Sequence, residues 1–257
     1  MKKLFPIIIA FTLTNNLIAQ TTNDIGKIAL SVVMPDNIEG LNTSQLSKLE
    51  TKISQIVLAS GLSAIGYNYN FVVYPKFAIY ETNIVEGGMQ TITVVTTELS
   101  LFIKQVDNNM IYSTFSKSLR GSGSSKEIAI TNAISKILTN DSEFKTFIET
   151  GKGKIIKHYE TKCDDIIQKS DRFVKLQKFE QALGLLMSVP EEVSSCYNQI
   201  QEKSINTYKA YQTQKCSELI QKAKTTFASN DFVGGLNILA GIDPSTNCFK
   251  EAQILAK

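Results

Sequence analysis

KCDDIIQKS at residues 162–170 and KCSELIQKA at residues 215–223 are two copies of one sequence unit. Each copy is followed by a second matching stretch, at residues 178–186 in the first unit and at residues 231–239 in the second. A proline and a second cysteine complete each unit, as Pro190 with Cys196 and Pro244 with Cys248. Tandem units of this kind are typical of repeat architectures, in which each unit packs against the next.

Each unit predicts a hairpin of two helices, because its core-facing positions recur at the i, i+3, i+4, i+7 spacing of an amphipathic helix. In the first unit these positions are Cys163, Ile166, Ile167, Ser170, Phe173 and Val174, and, after a short turn, Phe179, Ala182, Leu183, Leu185 and Leu186. Residues 193–228 contain neither proline nor glycine. One unbroken helix is therefore predicted from near Cys196 through Cys216.

Residues 1–20, MKKLFPIIIAFTLTNNLIAQ, have the organisation of a secretory signal peptide. Two lysines precede an apolar stretch that is shorter than the roughly 20 residues of a membrane span. An uncleaved anchor is the alternative, and no later segment is apolar enough for a transmembrane helix. The sequence therefore predicts export, to the periplasm, to the outer membrane or out of the cell.

All four cysteines lie in the duplicated region, and an even number of cysteines in an exported protein predicts disulfides. The two cysteines of each unit are separated by 33 and by 32 residues, which predicts the bonds Cys163–Cys196 and Cys216–Cys248. A bond from Cys196 to Cys216 is disfavoured because 20 residues of one helix span about 30 Å. A zinc site with four thiolates is the alternative, but it lacks the usual close cysteine pairs.

The order of helix, aromatic turn, helix and proline resembles tetratricopeptide-type repeats over residues 155–257, with Phe179, Ala182, Leu183 and Pro190 at matching positions. The copies recur after roughly 53 residues, whereas the period of that family is 34. The resemblance implies protein binding on a concave face, for which the candidate residues are Phe179, Leu183, Phe232 and Leu236. The alternative is a helical cap that packs on the first domain and binds nothing.

The first half, residues 21–150, predicts a separate α+β domain in the order β-α-β-β-β-α. Strands are predicted at residues 27–34, 71–84, 91–106 and 110–119, in an antiparallel sheet with helices on one face. A capping box from Ser124 to Glu127 predicts the start of its last helix. The helical-repeat domain then occupies residues 151–257.

The predicted order and one segment of this half are similar to the envelope domains of flagellar assembly protein T and the curli-secretion lipoprotein. The matching residues are Leu99, Leu101, Ile111, Tyr112, Ser113, Thr114, Gly121, Gly123, Ser125, Ala129, Asn132, Ala133 and Ile134. The resemblance covers about residues 25–140 and implies a non-catalytic domain that helps to build assemblies at the outer membrane. The lipid-anchoring cysteine of those relatives is missing from this chain.

Composition excludes several classes of function. The 257 residues include 27 Lys and Arg against 24 Asp and Glu, which excludes a polybasic nucleic-acid binder. The single histidine, His158, excludes a multi-histidine metal site within one chain. The Gly-x-Ser-x-Gly motif of many hydrolases does not occur. We therefore assign no catalytic residue, metal ligand or cofactor from the sequence.

The sequence favours a non-enzymatic exported adaptor that binds an envelope or outer-membrane protein through the helical repeats. The alternative is a module that binds glycan or peptidoglycan in the region of residues 67–80, where Tyr67 and Tyr69 form a candidate ligand patch. An enzyme of unfamiliar type is the third hypothesis.

Overall fold

The computed structural model describes residues 28–62, 70–87 and 90–257. The predicted signal peptide at residues 1–20 lies outside the described residues. The first half contains β1 (Leu30–Val32), α1 (Thr43–Ala59), β2 (Phe71–Gly87), β3 (Gln90–Gln105), β4 (Ile111–Gly123) and α2 (Lys126–Ser135). This element order and the α+β class agree with the prediction.

The four strands form one sheet in the order β1-β2-β3-β4. The pairs β2–β3 and β3–β4 are antiparallel, whereas β1 is parallel to β2, with Leu30 opposite Phe71. The sheet is thus mixed rather than wholly antiparallel as predicted. β1 is parallel to β2 because the two strands are joined by a crossover through α1, which returns the chain to the sheet in the same direction as β1.

Alternate residues of β3 form the centre of the core, because successive side chains of a strand point to opposite faces. The buried members are Val95, Leu99, Leu101 and Ile103. Helices α1, α2 and α3 pack with the sheet and with one another on this side. The intervening side chains of β3 are only partly buried, so the opposite face of the sheet is open.

Gly121 allows α2 to lie directly on β4. A Cβ at this position would overlap the carbonyl oxygen of Ala129 and the amide nitrogen of Ala133, both backbone atoms of α2. Asn132 Nδ2 donates to the Ser122 carbonyl over 2.8 Å and holds the two elements together. The helix begins one residue later than predicted, since Ser125 rather than Ser124 is its N-cap. Glu127 is then the second helical residue, so no capping box forms.

Helix α3 (Ser142–Lys175) joins the sheet to the repeats. Its first half packs on the sheet through Phe144 and Ile148, and its second half pairs with the helices that follow. The domain boundary predicted between residues 150 and 151 falls within this helix, and it stays a prediction. One apolar core extends from Ile28 to Ile200, and a second, smaller cluster occupies residues 216–252.

The repeats comprise α4 (Phe179–Met187), α5 (Ser194–Ala228), α6 (Phe232–Ala240) and α7 (Phe249–Leu255). Gln177 and Asn230 occupy the same place in the two copies, and both have the left-handed backbone conformation that ends a helix, with φ of 57° and 61°. As predicted, α5 continues unbroken from Cys196 through Cys216.

Two disulfides staple these helices together. Cys163 of α3 is bonded to Cys196 of α5, with 5.6 Å between their Cα atoms. Cys216 of α5 is bonded to Cys248, the residue before α7, with 6.1 Å between their Cα atoms. These are the pairs that the nearly equal spacing within the two copies predicts. Each bond therefore links the first helix of a copy to the start of the helix that follows its hairpin.

Candidate functional site

Three exposed apolar side chains lie together on α6, and we call Phe232, Val233 and Leu236 the α6 patch. Their side chains are 61%, 71% and 45% exposed. The helix takes this orientation because its other face, with Gly235 and Leu239, is buried against α5. Gly235 lies so close to the Phe227 ring that a Cβ there would collide with it. The contact fixes α6 on α5 and leaves the patch facing solvent.

The four predicted partner-binding residues differ in exposure. Phe232 and Leu236 belong to the α6 patch, whereas Leu183 is half-buried and Phe179 is only 9% exposed. Phe179 lies beneath α5, with 6.5 Å between its ring centre and that of Tyr211. The structure therefore places two of the four on one exposed surface and places Phe179 in the packing of the first copy. Val233 completes the patch and was not among the predicted residues.

A cavity of about 270 Å³ lies between the start of α4 and the middle of α5. Tyr211 Oη donates to Glu180 Oε1 across it over 3.0 Å, and this hydrogen bond raises the pKa of Tyr211 above its ordinary value. On the same side of α5, Glu218 lies 3.4 Å from Lys215 Nζ and raises the pKa of Lys215. Glu180, Lys215 and Glu218 of this cavity already have partners, so it resembles a polar contact between two helices more than an empty binding site.

A second cavity, of about 390 Å³, lies between β2 and the loop at residues 35–39. Tyr74 and Tyr80 contribute aromatic rings to it. Asn37 contributes an amide, which can donate and accept hydrogen bonds, and Glu98 contributes a carboxylate, which accepts them. Tyr80 is placed by a register shift in β2, between Ile79 and Glu81. The cavity thus combines flat apolar surfaces with a carboxylate and an amide.

Lysine–aromatic pairs organise the open face of the sheet beside this second cavity. Lys104 Nζ lies 4.4 Å from the centre of the Tyr74 ring, and Lys76 Nζ lies 5.5 Å from the centre of the Phe102 ring. Such contacts hold an ammonium group against a ring face. The alternation of Tyr74, Lys76 and Tyr80 with buried residues was the sequence pattern that could have identified this surface.

Tyr67 and Tyr69, the predicted ligand patch, lie outside the described residues. Within the described ranges, no group of three or more His, Cys, Asp or Glu side chains is arranged to hold a metal ion. Every helix in the part of the chain that the structure describes is too short or too polar to cross a membrane.

No family model and no curated protein matches this chain. Among solved structures, it matches a minor lipoprotein from Acinetobacter baumannii at 13% identity and a TM-score of 0.32, covering 49% of this chain and 94% of that one. A "putative lipoprotein" from Caulobacter crescentus matches at 8% identity and a TM-score of 0.28, covering 49% of this chain and 83% of that one. Neither description names a flagellar, curli-secretion or tetratricopeptide protein, so those resemblances stay predictions.

Proposed function

We propose that the protein is an exported, non-enzymatic adaptor of the cell envelope that binds a partner protein through its helical repeats. The observation that carries this proposal is the α6 patch, three exposed apolar side chains on a helix whose other face is buried. Single exposed apolar residues are ordinary, whereas contiguous ones mark interaction sites.

The internal repeat indicates what kind of partner fits the α6 patch. Phe179 and Phe232 occupy equivalent positions in the two copies, as do Leu183 and Leu236. In the first copy, the long helix α5 covers Phe179 with Tyr211. In the second copy the Phe232 ring lies beside that of Phe227, with 6.3 Å between their centres, and the side chain is 61% exposed. An amphipathic helix of the partner, lying on α6 as α5 lies on α4, would bury the patch.

Val233 refines the chemistry of this partner helix. It stands where the first copy has Glu180, the residue that accepts the hydrogen bond from the Tyr211 hydroxyl. A valine offers no such acceptor, and a buried hydroxyl without a partner is costly. We therefore expect the partner helix to present a leucine, methionine or phenylalanine at this point rather than a tyrosine.

Export is supported by two separate features. The first is the charged and then apolar organisation of residues 1–20. The second is the pair of disulfides, which persist in oxidising compartments such as the periplasm. The place of the protein within the envelope is part of this proposal, and it depends on the partner that the protein binds.

A photo-crosslinking amino acid at Val233 is expected to join the protein to a specific envelope protein in intact cells. Adding Phe232→Ser and Leu236→Ser should reduce the crosslinked product at least about tenfold, because each change removes about 1 kcal/mol or more of apolar burial. The product is measured by mass spectrometry and by its yield on gels.

The matched control places the same crosslinker at Leu138, which is 64% exposed, close to the 71% of Val233, but lies in the first half. This position should give no specific product. Equal yields from Val233 and Leu138, or a Val233 product that is insensitive to the two serine changes, would show that the α6 patch is not the partner-binding surface.

A second candidate function is glycan binding in the cavity beside β2. The specific observation is that Tyr74 and Tyr80 share this cavity with Asn37 and Glu98. Aromatic rings can lie against the apolar faces of sugar rings, while the amide and the carboxylate hydrogen-bond to hydroxyl groups. The ligand class would be peptidoglycan fragments or another envelope saccharide.

For this second candidate, combining Tyr80→Ala with Glu98→Gln is expected to weaken binding of soluble peptidoglycan fragments at least about tenfold. Isothermal titration calorimetry of the purified protein measures the change. Tyr208→Ala is the matched control, because Tyr208 is an exposed tyrosine on α5, away from this cavity. Affinity that is the same in all three proteins would count against a glycan site at β2.

A further inference from the structure

A third cavity, of about 220 Å³, lies where α3 meets the β3–β4 turn and the end of α4. His158, Lys162 and Lys169 line it from one face of α3, at the i, i+4 and i+11 positions of that helix. Gln105 and Asn108 line it from the sheet side. Neither the α6 patch nor the cavity beside β2 shares a residue with this site.

The sheet side of the third cavity is a rigid polar surface. Gln105, only 5% exposed, donates from Nε2 to Tyr159 Oη over 2.9 Å. Its Oε1 accepts from Tyr112 Oη over 3.0 Å and from Asn108 Nδ2 over 3.2 Å. Burial raises the pKa of both tyrosines, so they stay protonated and keep these bonds at neutral pH. The network holds the wall in place without any ligand.

The helix side of the third cavity carries the charge. It has two ammonium groups, those of Lys162 and Lys169, and one carboxylate, that of Asp165. Lys162 Nζ pairs with Asp165 Oδ2 over 2.9 Å. Lys169 has no ion-pair partner in the described ranges and contacts only the Phe173 ring, 6.0 Å from its centre. The cavity therefore has a net positive charge, and the ammonium group of Lys169 is available to donate hydrogen bonds to a ligand.

His158 adds a polar group that is uncharged at neutral pH. Burial, and secondarily the charge of Lys162, lowers its pKa below the ordinary value for histidine. Its ring packs edge-on against Tyr112 and Tyr159, with centres 5.7 Å and 5.3 Å away. The imidazole is therefore held in place and can donate or accept one hydrogen bond at the cavity wall.

Ile166, which lies between Lys162 and Lys169 on α3, and Leu185 of α4 add apolar surface to the cavity. We infer that the cavity binds a small organic anion, whose carboxylate or phosphate lies against Lys169 and Lys162 and whose apolar part lies against Ile166 and Leu185. The ligand is small because the cavity is below the roughly 300–1,000 Å³ of drug-sized sites.

Benzoate is a suitable probe because it joins a carboxylate to an apolar ring. In an NMR titration of the full mature protein, we expect benzoate to shift the side-chain amide signals of Gln105 and Asn108, with a Kd near or below about 10 mM. Benzamide, its uncharged isostere, should bind at least about tenfold more weakly. Inorganic phosphate, which lacks the apolar part, should shift the same signals but also bind more weakly than benzoate.

Lys169→Gln is expected to weaken benzoate binding at least about fivefold, since it removes the unpaired charge. Lys175→Gln is the matched control, an exposed lysine on the same helix outside the cavity, and should change nothing. The inference is overturned if benzamide binds as well as benzoate, if both lysine variants behave alike, or if no cavity signal shifts. If phosphate binds as tightly as benzoate, the contacts with Ile166 and Leu185 contribute nothing to the affinity, and that part of the inference is wrong.

Discussion

Replacing Gly121 by alanine is expected to lower the free energy of unfolding by about 3 kcal/mol, the upper end of what overpacking costs. The new Cβ would overlap backbone atoms of Ala129 and Ala133 in α2. Backbone atoms inside a helix cannot rotate away, so the whole of α2 must move off β4. Urea unfolding of the mature protein, followed by circular dichroism, measures the loss.

Two glycines of α3 provide graded controls for Gly121→Ala. A Cβ at Gly151 would meet the Cδ1 end of the Ile103 side chain, which can adjust, so Gly151→Ala should cost less. A Cβ at Gly153 would meet nothing within 4 Å, and Gly153→Ala should stabilise the helix by up to about 1 kcal/mol. If Gly121→Ala is no more destabilising than Gly151→Ala, the close approach of α2 to β4 is wrong.

Replacing Cys163 and Cys196 together by alanine is expected to lower the free energy of unfolding by about 3–4 kcal/mol. The bond between them spans 33 residues of sequence, and closing such a loop removes much of the entropy of the unfolded chain. Both cysteines are also buried in the core that includes the sheet. Amide hydrogen exchange should therefore show weaker protection in β3 as well as in the helices.

The second disulfide is a matched control, because it spans 32 residues and so has nearly the same loop-closure entropy. Its cysteines belong to the smaller cluster at residues 216–252, separate from the sheet core. Replacing Cys216 and Cys248 by alanine should weaken hydrogen-exchange protection in α6 and α7 while the β3 amides keep theirs. Equal loss of β3 protection in both double variants would show that the two clusters unfold as one.

Local sequence patterns predicted the repeats well. The nearly equal spacing of the cysteines identified the two bonded pairs, and the absence of proline and glycine identified the unbroken course of α5. Both features depend on residues close in sequence or repeated at a fixed interval. The direction of β1 could not be predicted in this way, because alternation of apolar residues shows that one face of a strand is buried and not in which direction the neighbouring strand runs.

The sequence also did not predict which apolar side chains of the repeats are buried and which are exposed. Phe179 and Phe232 occupy equivalent positions in similar helices, yet one is buried and the other exposed. The difference lies in what packs on each ring, because Tyr211 of α5 covers Phe179, whereas Phe232 lies beside Phe227 of the preceding helix and stays largely exposed. The polar network around Gln105 likewise joins residues that are far apart along the chain, and no local pattern predicts such contacts.

The shared helix α5 has a consequence for how a protein of this kind can change length during evolution. Its first half completes the first copy and its second half begins the next, so a copy has no boundary of its own within the helix. An in-frame deletion of residues 163–215 would join Lys162 to Cys216, and α3 would continue directly into the second half of α5. Unequal recombination between the two copies can therefore shorten or lengthen the array without breaking a helix or leaving a cysteine unpaired.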